Sequence, residues 1–222
     1  MTHSAEVIHR LQEELRPFGA RLIAVSKTRA PEDVKEAYAA GQRLFGENYV
    51  QELSEKRDLL PVDIQWHFIG HLQSNKVKFL SPFVSCIQTI DSHKLLMEID
   101  RQAQRSGRVI DCLLQIHIAQ ESTKFGFTFD EARKLMEDQQ LQACQNIRVA
   151  GVMGMATNTE EEDMIRSEFR LLRSFFEELK IGRPDFREVS MGMSGDYRIA
   201  LEEGSTLVRI GSAIFGERKP KG

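Results

Sequence analysis

The sequence predicts an α/β fold: a single (β/α)8 barrel of the TIM type that occupies the whole chain, residues 1–222. Eight short apolar segments alternate with amphipathic ones, and their near-continuous hydrophobicity is typical of parallel strands buried on both faces. No low-complexity tract, short-period repeat or Pro/Gly/Ser-rich linker divides the chain. An open doubly wound sheet is the alternative, and the count of eight strands favours the closed barrel.

The predicted strands are recognised by their apolar runs, and helical patterns lie between them. The strand segments, in order, are residues 21–26, 43–46, 65–70, 83–90, 109–118, 147–155, 186–192 and 206–216.

Helix signals bracket one segment after the first strand. Pro31 stands at a first helical position, Glu32 and Asp33 lie in the first turn, and Gly41 follows the last apolar residues. Similar but weaker patterns predict helices at about residues 4–16, 47–59, 74–80, 92–106 and 130–139.

The segment 159–182 carries the clearest helix pattern. Thr159 and Glu162 have the spacing of a capping box, and Gly182 is a typical terminator. Apolar residues recur on one stripe that should lie against the sheet, at positions 165, 169, 172, 176 and 179.

Composition limits the classes of function. The 41% hydrophobic and 28% charged residues indicate a globular protein, and a net charge of −3 offers no basic surface for nucleic acid or anionic lipid. The N-terminal segment has no apolar core, so we expect no signal peptide, and no apolar run is long enough to span a bilayer. Three widely spaced cysteines are typical of free thiols in a reducing cytoplasm.

Lys27 lies directly after the first strand and shortly before a helix start, where barrels of this type place their active sites. A lysine at a strand end is usually a solvated charge. The alternative is a reactive amine, because a lysine removed from water has a lowered pKa and becomes nucleophilic.

The loops after the seventh and eighth strands are rich in glycine and serine, in the place where barrels frequently bind phosphate. Glycines let backbone N–H groups approach a phosphate, and serine hydroxyls donate further hydrogen bonds. The same residues also make ordinary turns, but their presence in both loops favours phosphate. They are Ser190, Gly192, Ser194, Gly195, Gly211 and Ser212.

An anion site across the barrel from an amine suits a phosphorylated aldehyde. Pyridoxal 5′-phosphate (PLP) has both groups and is usually anchored in proteins by a lysine Schiff base. An aldolase that uses Lys27 on a phosphorylated sugar is also compatible with this pattern.

Other motifs predict little. His67 and His71 straddle a strand end and Gly70, so we expect no metal site. The dinucleotide-binding, P-loop and nucleophile-elbow patterns do not occur in the sequence.

Seven segments spread in order along the chain resemble the pyridoxal phosphate homeostasis protein family, the YggS/PROSC type. They are AVSKT (24–28), FGENYVQE (45–52), WHFIGHLQSNK (66–76), STKFGF (122–127), GVMGMAT (151–157), SMGMSGDY (190–197) and VRIGSAIFG (208–216). One departure concerns a loop: an asparagine is expected near Gln120 or Glu121.

The resemblance implies a fold like the N-terminal barrel of alanine racemase and a site for PLP. By this resemblance Lys27 carries the cofactor, the two serine-containing loops hold its phosphate, and Arg209 faces the pyridine nitrogen. A permanently protonated arginine disfavours protonation of the ring, which leaves it a poorer electron sink. The implied cofactor-binding residues are Lys27, Asn48, His67, Met153, Ser190, Met191, Ser194, Arg209, Gly211 and Ser212, with no catalytic or metal-ligating residue.

The resemblance implies a carrier, buffer or regulator of PLP in vitamin B6 homeostasis, with apo PLP-dependent enzymes as recipients. From the cysteines and the absence of any sequence mark of a large interface, we expect a cytoplasmic monomer. A racemase-like enzyme is the alternative, but it needs a second acid/base group opposite the lysine. In alanine-racemase-like enzymes a tyrosine from an additional β domain supplies this group, and we expect no such domain here. Tyr38, Tyr49 and Tyr197 hold no obvious second-base position. Lys124 is a candidate for cofactor transfer, although a solvated loop lysine is the simpler interpretation.

Overall fold

The computed structural model describes residues 2–121 and 125–216, and within them eight parallel strands close into one barrel. Each strand pairs with the next along the chain, and the eighth pairs with the first. The predicted closed (β/α)8 barrel is therefore confirmed. The strands are β1 Arg21–Val25, β2 Leu44–Glu47, β3 Gln65–Phe68, β4 Cys86–Ile90, β5 Ile110–Gln115, β6 Ile147–Met153, β7 Glu188–Ser190 and β8 Leu207–Ile210.

Helices surround the barrel, and α1 precedes the first strand. The described residues form α1 His3–Leu15, α2 Pro31–Ala39, α3 Val50–Leu59, α4 Val77–Leu80, α5 His93–Arg105, α6 Phe129–Met136, α7 Gln139–Ala143, α8 Glu162–Lys180, α9 Tyr197–Glu202 and α10 Ser212–Phe215. None of the helices in this part of the chain combines the length and the apolar character that a membrane-spanning segment needs.

The strand segments were predicted in the right places, but several were predicted too long. The eighth is the largest difference, because β8 ends at Ile210 and the following residues Ser212–Phe215 form α10. A short apolar run has the same composition in a strand and in a buried helical turn, so periodicity does not separate them.

The helix predictions hold in outline. Pro31 is the first residue of α2, as predicted. The capping box predicted for α8 is wrong: the helix begins at Glu162 after Glu161, and the Thr159 hydroxyl accepts from the Glu161 N–H at 3.1 Å instead. The apolar stripe of α8 is confirmed, since all five of its positions are buried: Ile165, Phe169, Leu172, Phe176 and Leu179.

Apolar side chains pack on both faces of the barrel wall, which explains why the strands read as continuous hydrophobic runs. The outer face packs against the helices in one large core. A smaller cluster lies apart from it and fills the barrel interior: Ile23, Cys86, Leu113, Ala150, Met153 and Leu207.

Candidate functional site

A cavity of about 330 Å³ opens at the carboxyl ends of the strands. Its walls come from the loops after six of the eight strands, so the barrel brings together residues that are far apart in sequence. The lining residues are Val25, Lys27, Arg29, Asn48, Ile69, Met155, Met193, Ser194, Gly195, Arg209, Gly211, Ser212 and Gly216.

Six of the ten predicted site residues line this cavity, namely Lys27, Asn48, Ser194, Arg209, Gly211 and Ser212. Three more are buried without lining it: His67 and Ser190 in a polar network, and Met153 in the interior cluster. Lys124 lies outside the described residues.

The side chain of Met191 is not brought to the cavity. It is fully buried in the outer core between sheet and helices. Ser190, its neighbour, faces the interior, and successive residues of an extended chain point to opposite faces. Ser190 and Met191 therefore cannot both face the inside of the barrel.

The lysine and the glycine-rich loops are neighbours rather than opposites. The sequence placed the anion site across the barrel from Lys27, but β8 pairs directly with β1. A Cβ atom on Gly211 would lie 3.0 Å from the carbonyl oxygen of Val25, so β8 leaves the barrel immediately beside β1. The amine and the two loops share one wall.

Lys27 is half-buried and lies in a tight turn between β1 and α2. Thr28, the next residue, has a φ of +63° and is the one non-glycine residue with positive φ among those described. This left-handed conformation costs about 1–2 kcal/mol for a residue with a Cβ. The N–H of Thr28 donates to Glu52 Oε1 at 2.5 Å, which holds the turn in this shape.

The loops after β7 and β8 bring two hydroxyls together. Ser212 Oγ lies 3.1 Å from Ser194 Oγ, although the residues are 18 positions apart. Gly211 precedes the short helix α10, and Gly192 has a φ of +95°, where a Cβ would come within 2.6 Å of Ala200 Cβ. Both loops thus depend on glycine for their shape and direct serine hydroxyls to one place.

Arg209 lines the cavity from within the barrel and is only 5% exposed. Its Nη1 donates to Ser190 Oγ at 2.6 Å, and its Nη2 donates to the Gly154 carbonyl oxygen at 3.0 Å. Burial lowers the pKa of Arg209 to about 10, and nearby Asp196 acts in the opposite sense. The guanidinium therefore stays protonated at neutral pH.

The hydrogen bonds continue from Arg209 across the barrel. Ser190 Oγ donates to Gln88 Oε1 at 2.7 Å, which joins β7 to β4, and Gln88 Nε2 lies 2.8 Å from His67 Nδ1 on β3. Arginine can only donate, so Ser190 accepts from Arg209 and gives its own proton to Gln88.

The donor and acceptor order of these hydrogen bonds determines which ring nitrogen of His67 carries the proton. Since Gln88 Oε1 is an acceptor, its Nε2 group donates to His67 Nδ1, and the ring carries its proton on Nε2. Burial lowers the pKa of His67 to about 3, so the imidazole is uncharged at neutral pH. Sequence reasoning named His67, Ser190 and Arg209 but missed Gln88, which connects them.

Asn48 presents an acceptor with no partner. Its Oδ1 is buried, and no donor reaches it in the described part of the chain, although Asn48 lines the cavity. A buried polar atom without a partner is costly and uncommon. A ligand hydroxyl in the cavity would satisfy it.

Sequence reasoning also missed Arg29 and Gly216, which close the cavity beside Lys27. An Arg29 Nη2 donates to the carbonyl oxygen of Gly216 and so ties the β1 loop to the end of α10. No sequence signal distinguished Arg29 from a solvated arginine. Within the described ranges, no group of three or more His, Cys, Asp or Glu side chains is arranged to hold a metal ion.

A closed parallel barrel with a lysine after β1 and glycine- and serine-containing loops after β7 and β8 defines a barrel of the alanine racemase type. The model of the family "Alanine racemase, N-terminal domain" matches residues 3–219. The chain belongs to this family and, within it, to the pyridoxal phosphate homeostasis proteins.

Three relatives show the extent of the similarity. Pyridoxal phosphate homeostasis protein of Aquifex aeolicus is 37% identical over 97% of this chain and 96% of its own length. The human protein of the same name is 40% identical over 96% of this chain and 82% of its own length. PipY of Synechococcus elongatus PCC7942, solved with PLP bound, is 36% identical with a TM-score of 0.86, over 96% of this chain and 100% of that one.

Proposed function

We propose that this chain binds PLP in the barrel mouth and acts in PLP homeostasis as a carrier or buffer. The observation that carries this proposal is one cavity lined by Lys27, by Arg209 and by the serine- and glycine-containing loops after β7 and β8. These are the groups that an aldehyde, a pyridine ring and a phosphate require. The names of the relatives and the PLP bound to PipY support the same ligand.

When bound, PLP supplies an aldehyde carbon that condenses with an amine, forming a C=N bond and releasing one water molecule. Lys27 provides that amine. Ser194 and Ser212, together with the backbone around Gly211, bind the phosphate group. The protonated guanidinium of Arg209 would face the ring nitrogen and disfavour its protonation.

Asn48 Oδ1 completes the proposed set by accepting from the hydroxyl of the ligand. Its lack of a partner within the described part of the chain is the feature that a bound hydroxyl would remove.

The residues that line the cavity favour binding of the cofactor over catalysis with it. The titratable side chains among its described lining residues are Lys27, Arg29 and Arg209, and no second acid/base group stands opposite the lysine there. The hydroxyls of Tyr38 and Tyr197 donate to Asp63 and Glu14, away from the cavity. We propose a non-catalytic role for this reason.

The proposed binding unit is the whole chain. The barrel takes its strands in order from Arg21 to Ile210, and α1 packs against α2 and α10, so the described elements belong to one unit. We further propose that apo PLP-dependent enzymes receive the cofactor.

The test of binding is spectroscopic and chemical. Protein incubated with PLP and dialysed should be yellow, and borohydride should fix one cofactor on Lys27, as peptide mass spectrometry would locate. A protein that stays colourless, or a cofactor reduced onto other lysines only, contradicts the proposal.

The test of the carrier role is transfer. Loaded protein mixed with an apo PLP-dependent enzyme should restore its activity and lose its own colour, measured against free PLP at the same concentration. Exchange of the α-proton of amino acids for deuterium at about one per second or faster would establish an enzyme instead.

A further inference from the structure

A buried charged cluster lies directly behind the turn that carries Lys27. It consists of Glu47 at the end of β2 and of Glu52 and Lys56 on α3. Lys56 Nζ lies 2.7 Å from Glu47 Oε1 and 2.6 Å from Glu52 Oε1, and the Lys56 side chain is only 4% exposed. None of the three residues lines the cavity.

The cluster binds the turn at three points. The third acceptor of Lys56 Nζ is the carbonyl oxygen of Ser26, at 2.6 Å. Ser26 Oγ donates to Glu47 Oε1 at 2.6 Å, and the N–H of Thr28 donates to Glu52 Oε1. Lys56 and Glu47 therefore hold Ser26, and Glu52 holds Thr28, so both neighbours of Lys27 are bound to the same cluster.

Stability alone does not explain such a cluster. Removing charges from water is costly, and buried ion pairs are weak evidence for stabilisation of a fold. Burial raises the pKa of Glu47, although Lys56 acts against this, and Glu47 Oε2 has no partner among the described residues. The cluster instead holds the 26–28 turn, in which Thr28 has a backbone conformation that L-residues disfavour.

We propose that Lys56, through Glu47 and Glu52, is a positioning residue that holds the 26–28 turn so that Lys27 faces the cavity ready for reaction with the cofactor. This inference rests on the proposed binding of PLP at Lys27 and assigns a cause to the orientation of its amine. Lys56 never touches the ligand and acts only through the turn.

The first experiment needs no cofactor. Amide hydrogen exchange of residues 26–29 is compared between the wild type, Lys56→Met and Arg57→Met, the last being an exposed cation on the same helix. We expect about tenfold faster exchange at Thr28 in Lys56→Met, with Arg57→Met unchanged. Equal exchange in all three proteins would overturn the proposal.

The second experiment follows the reaction at Lys27. At saturating PLP, borohydride trapping should be about tenfold slower in Lys56→Met than in the wild type. In a Lys27→Ala background, Lys56→Met should change PLP affinity by no more than about twofold, because the loops after β7 and β8 that bind the phosphate are untouched. Equal trapping rates, or a comparable loss of affinity without Lys27, would contradict positioning.

Rescue separates positioning from general damage. Glycine adopts positive φ without steric cost, so Thr28→Gly in the Lys56→Met background should restore much of the trapping rate. A rescue that raises stability but not trapping would overturn the proposal.

A second variant covers the case in which Lys56→Met does not fold. Glu52→Leu removes the acceptor of the Thr28 N–H and leaves Lys56 paired with Glu47, and the same slower trapping is expected. An unchanged trapping rate in this variant contradicts the proposal. If wild-type protein takes up no PLP, the proposed function itself fails, and the exchange measurement alone decides whether the cluster holds the turn.

Discussion

The two ends of the barrel use polar residues in opposite ways. At the floor, defined as the charged residues at the amino ends of the strands, Arg21 pairs with Glu188 at 2.6 Å and Arg148 with Asp111 at 2.7 Å. Arg187 adds a further contact to Asp111 at 3.4 Å. These charges neutralise one another in place.

The mouth instead combines a cavity, a left-handed threonine turn and a buried amide oxygen that no described residue contacts with a donor. These features cost stability and are typical of sites where function, not folding, sets the arrangement. The difference predicts that changes at the mouth alter ligand binding, whereas changes at the floor alter stability alone.

Removal of the amine should have the largest effect. Lys27→Ala is expected to abolish borohydride trapping and to weaken retention of PLP by about a hundredfold, equivalent to roughly 3 kcal/mol. Spectroscopic titration and dialysis measure this, with Lys76→Ala, outside the cavity, as the matched control. If Lys27→Ala retained PLP as well as the wild type does, the proposed difference between the mouth and the floor of the barrel would be wrong.

Acid should weaken the fold through His67. As pH falls from 7 to 5, the unfolded chain protonates this histidine with its ordinary pKa of about 6.5, while the folded protein does not until about pH 3. The stability that the neutral ring contributes is present above the unfolded pKa and is lost progressively towards pH 3. The cost to the free energy of unfolding is about 2 kcal/mol at pH 5.

His67→Asn keeps an acceptor for Gln88 and should remove this part of the pH dependence. Urea unfolding at pH 7 and pH 5 measures the difference, and His9→Asn, at an exposed position, is the control. If the free energy of unfolding falls by the same amount from pH 7 to pH 5 in His67→Asn and in the wild type, the buried imidazole is not the cause.

Arg209 links binding to the polar network. Arg209→Met should lower the free energy of unfolding by about 1–3 kcal/mol, because Ser190 Oγ and the Gly154 carbonyl oxygen lose their donor. The protein should still react with PLP at Lys27, but with an altered absorption spectrum. An unchanged spectrum would contradict the placement of the guanidinium beside the ring.

The paired serines should contribute less. Ser194→Ala with Ser212→Ala is expected to weaken PLP affinity about tenfold, since hydrogen bonds to a charged group are worth roughly 1.5–3 kcal/mol and backbone donors remain. Pyridoxal, which has no phosphate, should bind equally to variant and wild type. Equal losses for both ligands would place the phosphate elsewhere.

The floor should give the smallest effect. Arg148→Ala is expected to reduce stability by about 0.5 kcal/mol, because the pair with Asp111 is partly exposed and screened. PLP affinity should not change. A large loss of affinity would mean that the two ends are coupled through the barrel.

Local patterns predicted most of the architecture. The eight apolar runs gave the strands and their order, because residues buried on both faces of a parallel sheet must be apolar in succession. Lys27 and the glycine- and serine-containing loops were found for a related reason: a parallel barrel places every strand end at one mouth. Boundaries were less accurate, as at β8, where the predicted strand continued into α10.

The sequence by itself determined the closed barrel and the residue types at its mouth, since both follow from periodicity and strand order. Tertiary structure alone decided which face Met191 takes, that Gln88 meets Ser190, 102 residues away, and joins it to His67, and that Lys56 is buried behind the Lys27 turn. These features depend on side-chain direction and on contacts between elements distant in the chain. A local pattern carries no information about such contacts, because it records which residues are neighbours in sequence and not which ones meet inside the barrel.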